Sequence, residues 1–321
     1  MKKKIIIVTG DPNSINSEII YKSWKKINNS LKKRIYLISN YDLMRKQLNL
    51  LKYNTKIVNI NRFEKKKDSL KLKILNVELS FKNPFKVGIS SSSKYVKSSL
   101  DLAHKFALKK EVAGIINCSI NKNLLGNNKM GVTEYLARKC KIKNNSEVML
   151  ISNKYLSVSP ITTHIDIKDI SKKISSKSIL TKVKVINNWF IKKFKKKPKI
   201  GILGLNPHNA EMRKNSEEVK TIIPTILKIK KSGIKISGPL VSDTLFIKDY
   251  NKYDVIVGMY HDQVITPFKT LFKFDAINIT LGLKYLRVSP DHGTAVNIIR
   301  KKKADPKSLI SCINFIDKFG K

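Results

Sequence analysis

Ten short apolar runs punctuate this chain, and they restrict its fold more than any other feature of the sequence. They are Ile5–Thr9, Ile35–Ser39, Ile57–Ile60, Val112–Asn117, Val148–Ser152, Leu156–Thr163, Ile200–Leu205, Ile234–Ser237, Asp254–Met259 and Ala276–Thr280. A strand covered on both faces, as in a buried parallel sheet, has this continuous apolar character. Helical patterns fill the intervals. Val96, Leu100, Ala103 and Ala107 keep helical spacing between Ser93 and Lys109, behind serines able to cap a helix. Ile179, Val183, Ile186, Phe190 and Phe194 do the same ahead of Pro198, which lies just past the helix end. Such alternation predicts an α/β architecture with a largely parallel sheet. With 321 residues the chain suits two domains or one large one, and without a repeat or a long low-complexity linker any boundary falls in a short connection.

Composition narrows the class. The 41% hydrophobic content is ordinary for a globular chain and argues against wholesale disorder. No apolar run approaches the roughly 18 residues that span a bilayer. The N-terminal MKKKIIIVTGDP places basic residues before apolar ones, as a signal peptide does. Its apolar stretch Ile5–Val8 is short and ends in Gly-Asp-Pro, so a first strand is the better reading. Cys118, Cys140 and Cys312 show no paired spacing, which suits a reducing cytoplasm. The formal charge of +42 would attract nucleic acid or an anionic membrane. Yet the lysines are spread along the whole chain among abundant Ile and Asn. The clusters Lys65–Lys67, Lys195–Lys197 and Arg300–Lys303 also lack the interleaved aromatics of a base-stacking surface. The charge therefore reads as compositional drift that still helps draw in a phosphorylated substrate, with neither nucleic acid nor membrane expected as a partner.

Chemistry concentrates between Met259 and Ala295. There an apolar run turns polar at Tyr260, His261, Asp262 and Gln263, and Lys269, Asn278, Arg287, Asp291 and His292 come after. An imidazole beside a carboxylate, then two cations and an amide, suits a metal and an anionic substrate. Ligands of α/β proteins sit beyond the carboxyl ends of parallel strands. His164, His208 and His261 each stand past an apolar run, so parallel strands would bring all three imidazoles out at one sheet edge or on the lips of a cleft. Neutral imidazoles are common ligands for Zn²⁺-like ions. His104 instead falls on a helical pattern beside Lys105 and reads as a surface residue. With no Gly-x-Gly-x-x-Gly fingerprint and no Walker loop, a standard dinucleotide site has no support from motif.

A series of blocks runs in order along almost the whole chain: Gly10-Asp-Pro, Ile120-Asn-Lys, Gly131-Val-Thr-Glu, Ile161-Thr-Thr-His, Gly204-Leu-Asn-Pro-His and Gly238-Pro-Leu-Val-Ser-Asp-Thr-Leu-Phe. Tyr260-His-Asp-Gln, Asn278-Ile-Thr-Leu-Gly-Leu, Asp291-His-Gly-Thr-Ala and Lys303-Ala-Asp-Pro complete it. In these blocks the chain resembles the 4-hydroxythreonine-4-phosphate dehydrogenase family. The resemblance implies two α/β/α domains with mostly parallel sheets, of the isocitrate and isopropylmalate dehydrogenase kind, with the active site in the cleft between them. We place the first domain at 1–125 plus 295–321 and the second, with most metal and substrate residues, at 126–294. The resemblance also implies NAD or NADP as cofactor, and one divalent ion (zinc, magnesium or cobalt) on His164, His208 and His261. The family's third ligand comes from a partner subunit, hence a homodimer. Thr133, Lys269, Asn278 and Arg287 match substrate-binding positions. Three departures stand out: Val132 replaces a substrate-contacting histidine, Ser14-Ile15-Asn16-Ser17 replaces Gly-Ile-Gly-Pro, and the glycine-rich loop after Asn-Pro-His is here a glycine-free stretch from Asn209 to Ser216 and beyond. Losing glycine threatens backbone contacts that required it.

The implied reaction oxidises 4-phosphohydroxy-L-threonine to 2-amino-3-oxo-4-phosphooxybutanoate, which loses CO₂, in pyridoxal 5'-phosphate biosynthesis. The metal would polarise the alcohol oxygen and stabilise the developing alkoxide. Asp262 and Asp291, with neighbouring His292, are candidates to orient the imidazoles. Lys269 and Arg287 would hold the anionic groups, and Lys269, Asp243 and Asp262 are candidates for proton handling. Two alternatives remain. One is a related dehydrogenase acting on another phosphorylated four-carbon hydroxy acid, kept open by Val132. The other is a basic nucleic-acid-binding protein without enzymatic activity.

Overall fold

The computed structural model describes residues 3–63, 70–126, 130–142 and 146–320, and the cluster Lys65–Lys67 lies outside them. Each of the ten apolar runs overlaps a strand. In chain order the strands are β1 Lys4–Val8, β2 Ile35–Ser39, β3 Ile57–Ile60, β4 Leu72–Asn76, β5 Val112–Asn117 and β6 Val148–Ser152. They continue with β7 Ser157–Thr162, β8 Ile200–Leu203, β9 Ile236–Leu240, β10 Val255–Tyr260, β11 Ile277–Leu281 and β12 Arg287–Pro290. The apolar pattern does not reveal β4 and β12 because polar residues interrupt them, and those residues are buried. Lys73, in the middle of β4, is fully buried and donates to the carbonyls of Lys32 and Lys33. Arg287 opens β12 and is 3% exposed.

Contacts divide the chain into two compact units, residues 1–141 with 283–321, and residues 142–282. These limits differ from the expected boundaries near 125 and 295. The helix Val132–Lys139 packs on the helix Ile89–Leu108, and β12 pairs with β5, so both segments go with the first unit. Val132, Thr133, Arg287, Asp291 and His292 accordingly belong to unit 1, while the three candidate metal ligands belong to unit 2.

In unit 1 the strand order is β3-β4-β2-β1-β5-β12, parallel throughout. Ile6, Val8, Ile38 and Ile115 of that sheet share a core with Tyr95, Val96, Leu100 and Ala103 of the helix Ile89–Leu108. Helix Lys307–Phe319 packs on β12 and β5. In unit 2 the order is β11-β6-β7-β10-β8-β9. Here β6 runs antiparallel to both β7 and β11, whereas β7, β10, β8 and β9 are mutually parallel. Val158, Leu203 and Ile256 meet Val264 and Phe268 of the helix His261–Phe272, which packs back over β10 and β7. The three cysteines are buried and not disulfide-bonded. Among the described residues no helix is long and apolar enough to cross a membrane.

The fully buried Ile256 lies at the centre of the unit 2 sheet, where the chain has little freedom to close a void. Ile256→Ala should lower the stability of this unit by about 2–5 kcal/mol, the usual cost of truncating a buried aliphatic side chain. Urea unfolding of the variant beside the parent measures it.

Candidate metal and substrate site

Three neighbouring parallel strands of unit 2 end at one edge, and a histidine stands past each. β10 lies between β7 and β8, with Tyr260 in register with Thr162 and Val257 with Ile202. His164 stands just past β7, His261 directly after β10, and His208 sits in the loop after β8. The rings of His164 and His261 have centroids 5.8 Å apart. With metal–nitrogen bonds of about 2.1 Å, two imidazoles on one ion have centroids roughly 5–6 Å apart, so this pair suits a shared cation. His261 Nδ1 is 2.6 Å from Asp262 Oδ1. A carboxylate there holds the proton on Nδ1 and leaves Nε2 for a ligand bond. His208 Nε2 lies 3.4 Å from Asp243 Oδ2, in the first turn of the helix Ser242–Lys248 that comes after β9. Among the described residues no three His, Cys, Asp or Glu side chains lie close enough to close a cation site. One chain thus offers a pair of imidazoles, with the third on an adjacent loop facing Asp243.

The loop carrying His208 has an unusual backbone. His208, Asn209, Ala210, Glu211 and Met212 all have φ between 48° and 56°, the left-handed region, and His164 shares it at 51°. This conformation costs non-glycine residues roughly 1–2 kcal/mol each. The left-handed turn is thus built without glycine; tertiary bonds hold it. Asn209 Nδ2 donates to the Pro239 carbonyl of β9 at 3.1 Å. The buried Glu218 accepts at Oε1 from the backbone N–H groups of Leu205 and Asn206, each at 2.8 Å, and at Oε2 from Asn206 Nδ2 at 3.1 Å. Burial alone would push the Glu218 carboxyl up, but these bonds outweigh it and hold its pKa below the usual carboxylate value.

The substrate-binding candidates are dispersed. Lys269 lies eight residues beyond His261 in the same helix, about 12 Å along its axis. Asn278 registers with Ile151, and Ile151 with Val158. That places Asn278 at the amino end of β7, roughly 13 Å from the histidine-bearing edge at about 3.3 Å per residue. Its Oδ1 is buried without a hydrogen-bond partner. In unit 1, Arg287 Nε donates to Asn117 Oδ1 at 2.6 Å and its Nη1 to Thr133 Oγ1 at 3.3 Å, which brings two predicted positions together around an unpredicted asparagine. Burial pulls the Arg287 pKa down to about 10, so it stays charged at neutral pH. Val132 packs partly buried against the unit 1 core. The Asp291 N–H donates to Ser308 Oγ, and His292, its pKa lowered by burial, holds Nδ1 2.9 Å from the Gly293 carbonyl.

One expectation changes. His104 is not a simple surface residue: it is half-buried, with Nδ1 2.8 Å from the Tyr285 hydroxyl and its pKa lowered by burial. The Ser14–Ser17 loop is filled by its own buried side chains. Ser14 Oγ donates to the Asp11 carbonyl, while Asn16 Nδ2 donates to the Ser119 carbonyl and Asn16 Oδ1 accepts from Ser119 Oγ. It therefore does not fit as an open backbone cradle for a cofactor phosphate. Asn117, Glu218 and Gln263 receive no role from the sequence alone. Gln263 at least lies within the Tyr260-His-Asp-Gln block, whereas nothing local singles out Glu218.

Residues 30–316 match the family described as "Pyridoxal phosphate biosynthetic protein PdxA". The 4-hydroxythreonine-4-phosphate dehydrogenase of Aquifex aeolicus is 37% identical, over 99% of this chain and 98% of its own. A relative from Oceanobacillus iheyensis, provisionally named a D-threonate 4-phosphate dehydrogenase, is 30% identical over 98% of this chain and 97% of its own. Among solved structures, the 4-hydroxythreonine-4-phosphate dehydrogenase of Klebsiella pneumoniae superposes with a TM-score of 0.84 at 28% identity, covering 99% of each chain. An isocitrate dehydrogenase from Methylococcus capsulatus, 12% identical, has a TM-score of 0.51 over 98% of this chain and 85% of its own, a likeness of fold alone.

The depressed pKa of Glu218 makes a pH prediction. A carboxylate whose folded pKa lies below its unfolded value stabilises fully above about pH 4.3, and that contribution fades as pH falls through the folded value. Glu218→Gln should remove this acid-limb dependence and cost roughly 1–3 kcal/mol at neutral pH, the usual worth of hydrogen bonds to a charged group. Denaturation curves between pH 3 and 7 for both proteins measure the difference.

Proposed function

The chain belongs to the PdxA family of pyridoxal phosphate biosynthetic proteins, and from that membership we propose an NAD- or NADP-dependent oxidation of 4-phosphohydroxy-L-threonine to 2-amino-3-oxo-4-phosphooxybutanoate. The β-keto acid product then loses CO₂. One observation carries the reading: three imidazoles leave three adjacent parallel strands at a single edge. His164, His208 and His261 would hold a divalent ion (zinc, magnesium or cobalt), and their all-nitrogen donor set with the 5.8 Å ring pair fits such an ion. When bound, that ion supplies Lewis-acid stabilisation to the developing alkoxide.

The chain's own residues supply the rest. Asp262 would hold the proton on His261 Nδ1 and so leave Nε2 for a ligand bond. Arg287 and Lys269 provide cations for the phosphate and carboxylate, Arg287 through a guanidinium already oriented by Asn117 and Thr133. Asn278 brings an amide with an unfilled Oδ1. Lys269, Asp243 and Asp262 would be the candidates to take the alcohol proton, and Asp243, 3.4 Å from His208 Nε2, would also restrain that imidazole. Asp291 and His292 would support the Arg287 group of unit 1. Asn278 and the histidine edge of one chain stand farther apart than a four-carbon substrate spans. That separation supports a homodimer in which a second copy completes each site and supplies the third imidazole. We place the enzyme in the cytoplasm, in keeping with its unpaired cysteines.

A second reading keeps the chemistry and changes the substrate to another phosphorylated four-carbon hydroxy acid. Val132, packed against the core where the family has a substrate-contacting histidine, favours it, as does the provisionally named relative from Oceanobacillus iheyensis.

The central test is NADH formation from 4-phosphohydroxythreonine and from D-threonate 4-phosphate, with chelator and with metal add-back. Activity on the first that falls with chelator and returns with metal upholds the primary reading; turnover of only the second moves the assignment. His208→Ala should lose bound metal and nearly all turnover while keeping its circular dichroism spectrum, and a normal metal content would remove His208 from the ligand set. Val132→His should raise kcat/KM for 4-phosphohydroxythreonine; no gain, together with preference for the alternative substrate, points to altered specificity.

A further inference from the structure

A carboxylate with an unfilled oxygen stands beside the buried guanidinium of Arg287. Arg287 donates from Nε to Asn117 Oδ1 at 2.6 Å and from Nη1 to Thr133 Oγ1 at 3.3 Å. Glu134 comes directly after Thr133, in the first turn of the helix Val132–Lys139, and is close enough to act on the Arg287 charge. An acidic side chain is favoured there by the helix dipole. Glu134 Oε2 is buried and has no hydrogen-bond partner among the described residues. The residue as a whole is only half-buried, so a small ligand can reach it. Its neighbours in the turn offer a ligand less: Val132 has no polar side-chain atom, and Thr133 Oγ1 already accepts from Arg287. A buried carboxylate oxygen left unpaired costs free energy, which a bound donor recovers and a charged donor recovers most fully.

An α-amino acid has the matching chemistry. Its carboxylate and ammonium hang from one carbon, and a guanidinium beside a carboxylate presents the opposite charges. We propose that Glu134 is a specificity-determining residue: its carboxylate takes the ammonium of 4-phosphohydroxy-L-threonine while Arg287 holds an anionic group of the same molecule. The inference rests on the reading above that Arg287 binds the substrate. D-Threonate 4-phosphate is the counterpart with a hydroxyl in place of that ammonium. It would meet Glu134 with a neutral hydrogen bond, about half as strong as a charge-assisted one.

The test uses Glu134→Gln and Glu134→Asp in the full chain. It measures kcat/KM for both compounds and, by calorimetry without NAD, the affinity for each. Gln keeps the length but not the charge, whereas Asp keeps the charge beside Arg287 and withdraws its oxygens by one methylene. Both variants should keep the parental circular dichroism spectrum. Glu134→Gln should cost about 10–100-fold in kcat/KM and affinity for 4-phosphohydroxythreonine, the worth of a hydrogen bond to a charged group, and far less for D-threonate 4-phosphate. Glu134→Asp should shift the ratio of the two in the same direction. Equal losses on both compounds overturn the proposal, because a residue that merely neutralises Arg287 affects both alike. So does an unchanged ratio. Should Glu134→Gln fail to fold, Glu134→Asp decides by the same ratio. Should the parent oxidise neither compound, the dehydrogenase reading falls and the affinities decide. A shift of their ratio away from the amino compound in the variants then upholds the inference; no shift, or no binding of either compound, overturns it.

Discussion

Parallel pairing of β7, β10 and β8 forces three segments far apart in the chain to leave their sheet at one edge. In a parallel ladder neighbouring strands point the same way, so the loops at their carboxyl ends emerge side by side. Here that places His164, His261 and His208 on adjacent loops. The apolar strands supply the alignment: Val158, Ile256 and Leu203 are buried in one core, and a one-residue slip of any of them would turn its side chains to the other face. The candidate metal chemistry thus depends on backbone pairing and core packing several residues away from any imidazole.

Beyond the ladder, buried polar side chains take over. Five consecutive left-handed residues from His208 to Met212 are unfavourable by themselves. They persist because Glu218 and Gln263, both buried, bind the backbone of Gly204, Leu205 and Asn206 just before the turn, while the buried Asn209 within it donates to the Pro239 carbonyl of β9. Hydrogen bonds inside a protein are stronger than in water, and leaving such groups unpaired is costly, so the loop has few alternatives. The same logic operates in unit 1, where Arg287 is buried and donates to Asn117 Oδ1 and Thr133 Oγ1.

Membership of the PdxA family accounts for this arrangement without invoking the +42 charge as a nucleic-acid footprint. The lysines that produce the charge are dispersed, and several serve ordinary structural ends, as Lys73 does in capping the carbonyls of Lys32 and Lys33.

The α/β class, ten of the strands and the strand-end placement of the histidines are legible in the chain, because apolar runs, helical periodicity and polar breaks are local signals. So are Thr133, within a block of resemblance, and Arg287, within the polar stretch from Met259 to Ala295, as candidates. The buried partners are not. β4 and β12 carry a lysine and an arginine that break the apolar pattern, and both are buried where distant backbone and side-chain oxygens accept their hydrogen bonds. His104 reads as a surface group among its helical neighbours, yet its partner is Tyr285, 181 residues away. Glu218 and Gln263 look like any exposed polar residues in the sequence, since their importance lies in which backbone groups they meet. Likewise, nothing short of strand register separates Asn278 from the histidine edge. Local sequence reports hydrophobicity and backbone preference; which polar groups satisfy one another in the interior is set by long-range packing, and that is where the candidate site acquires its geometry.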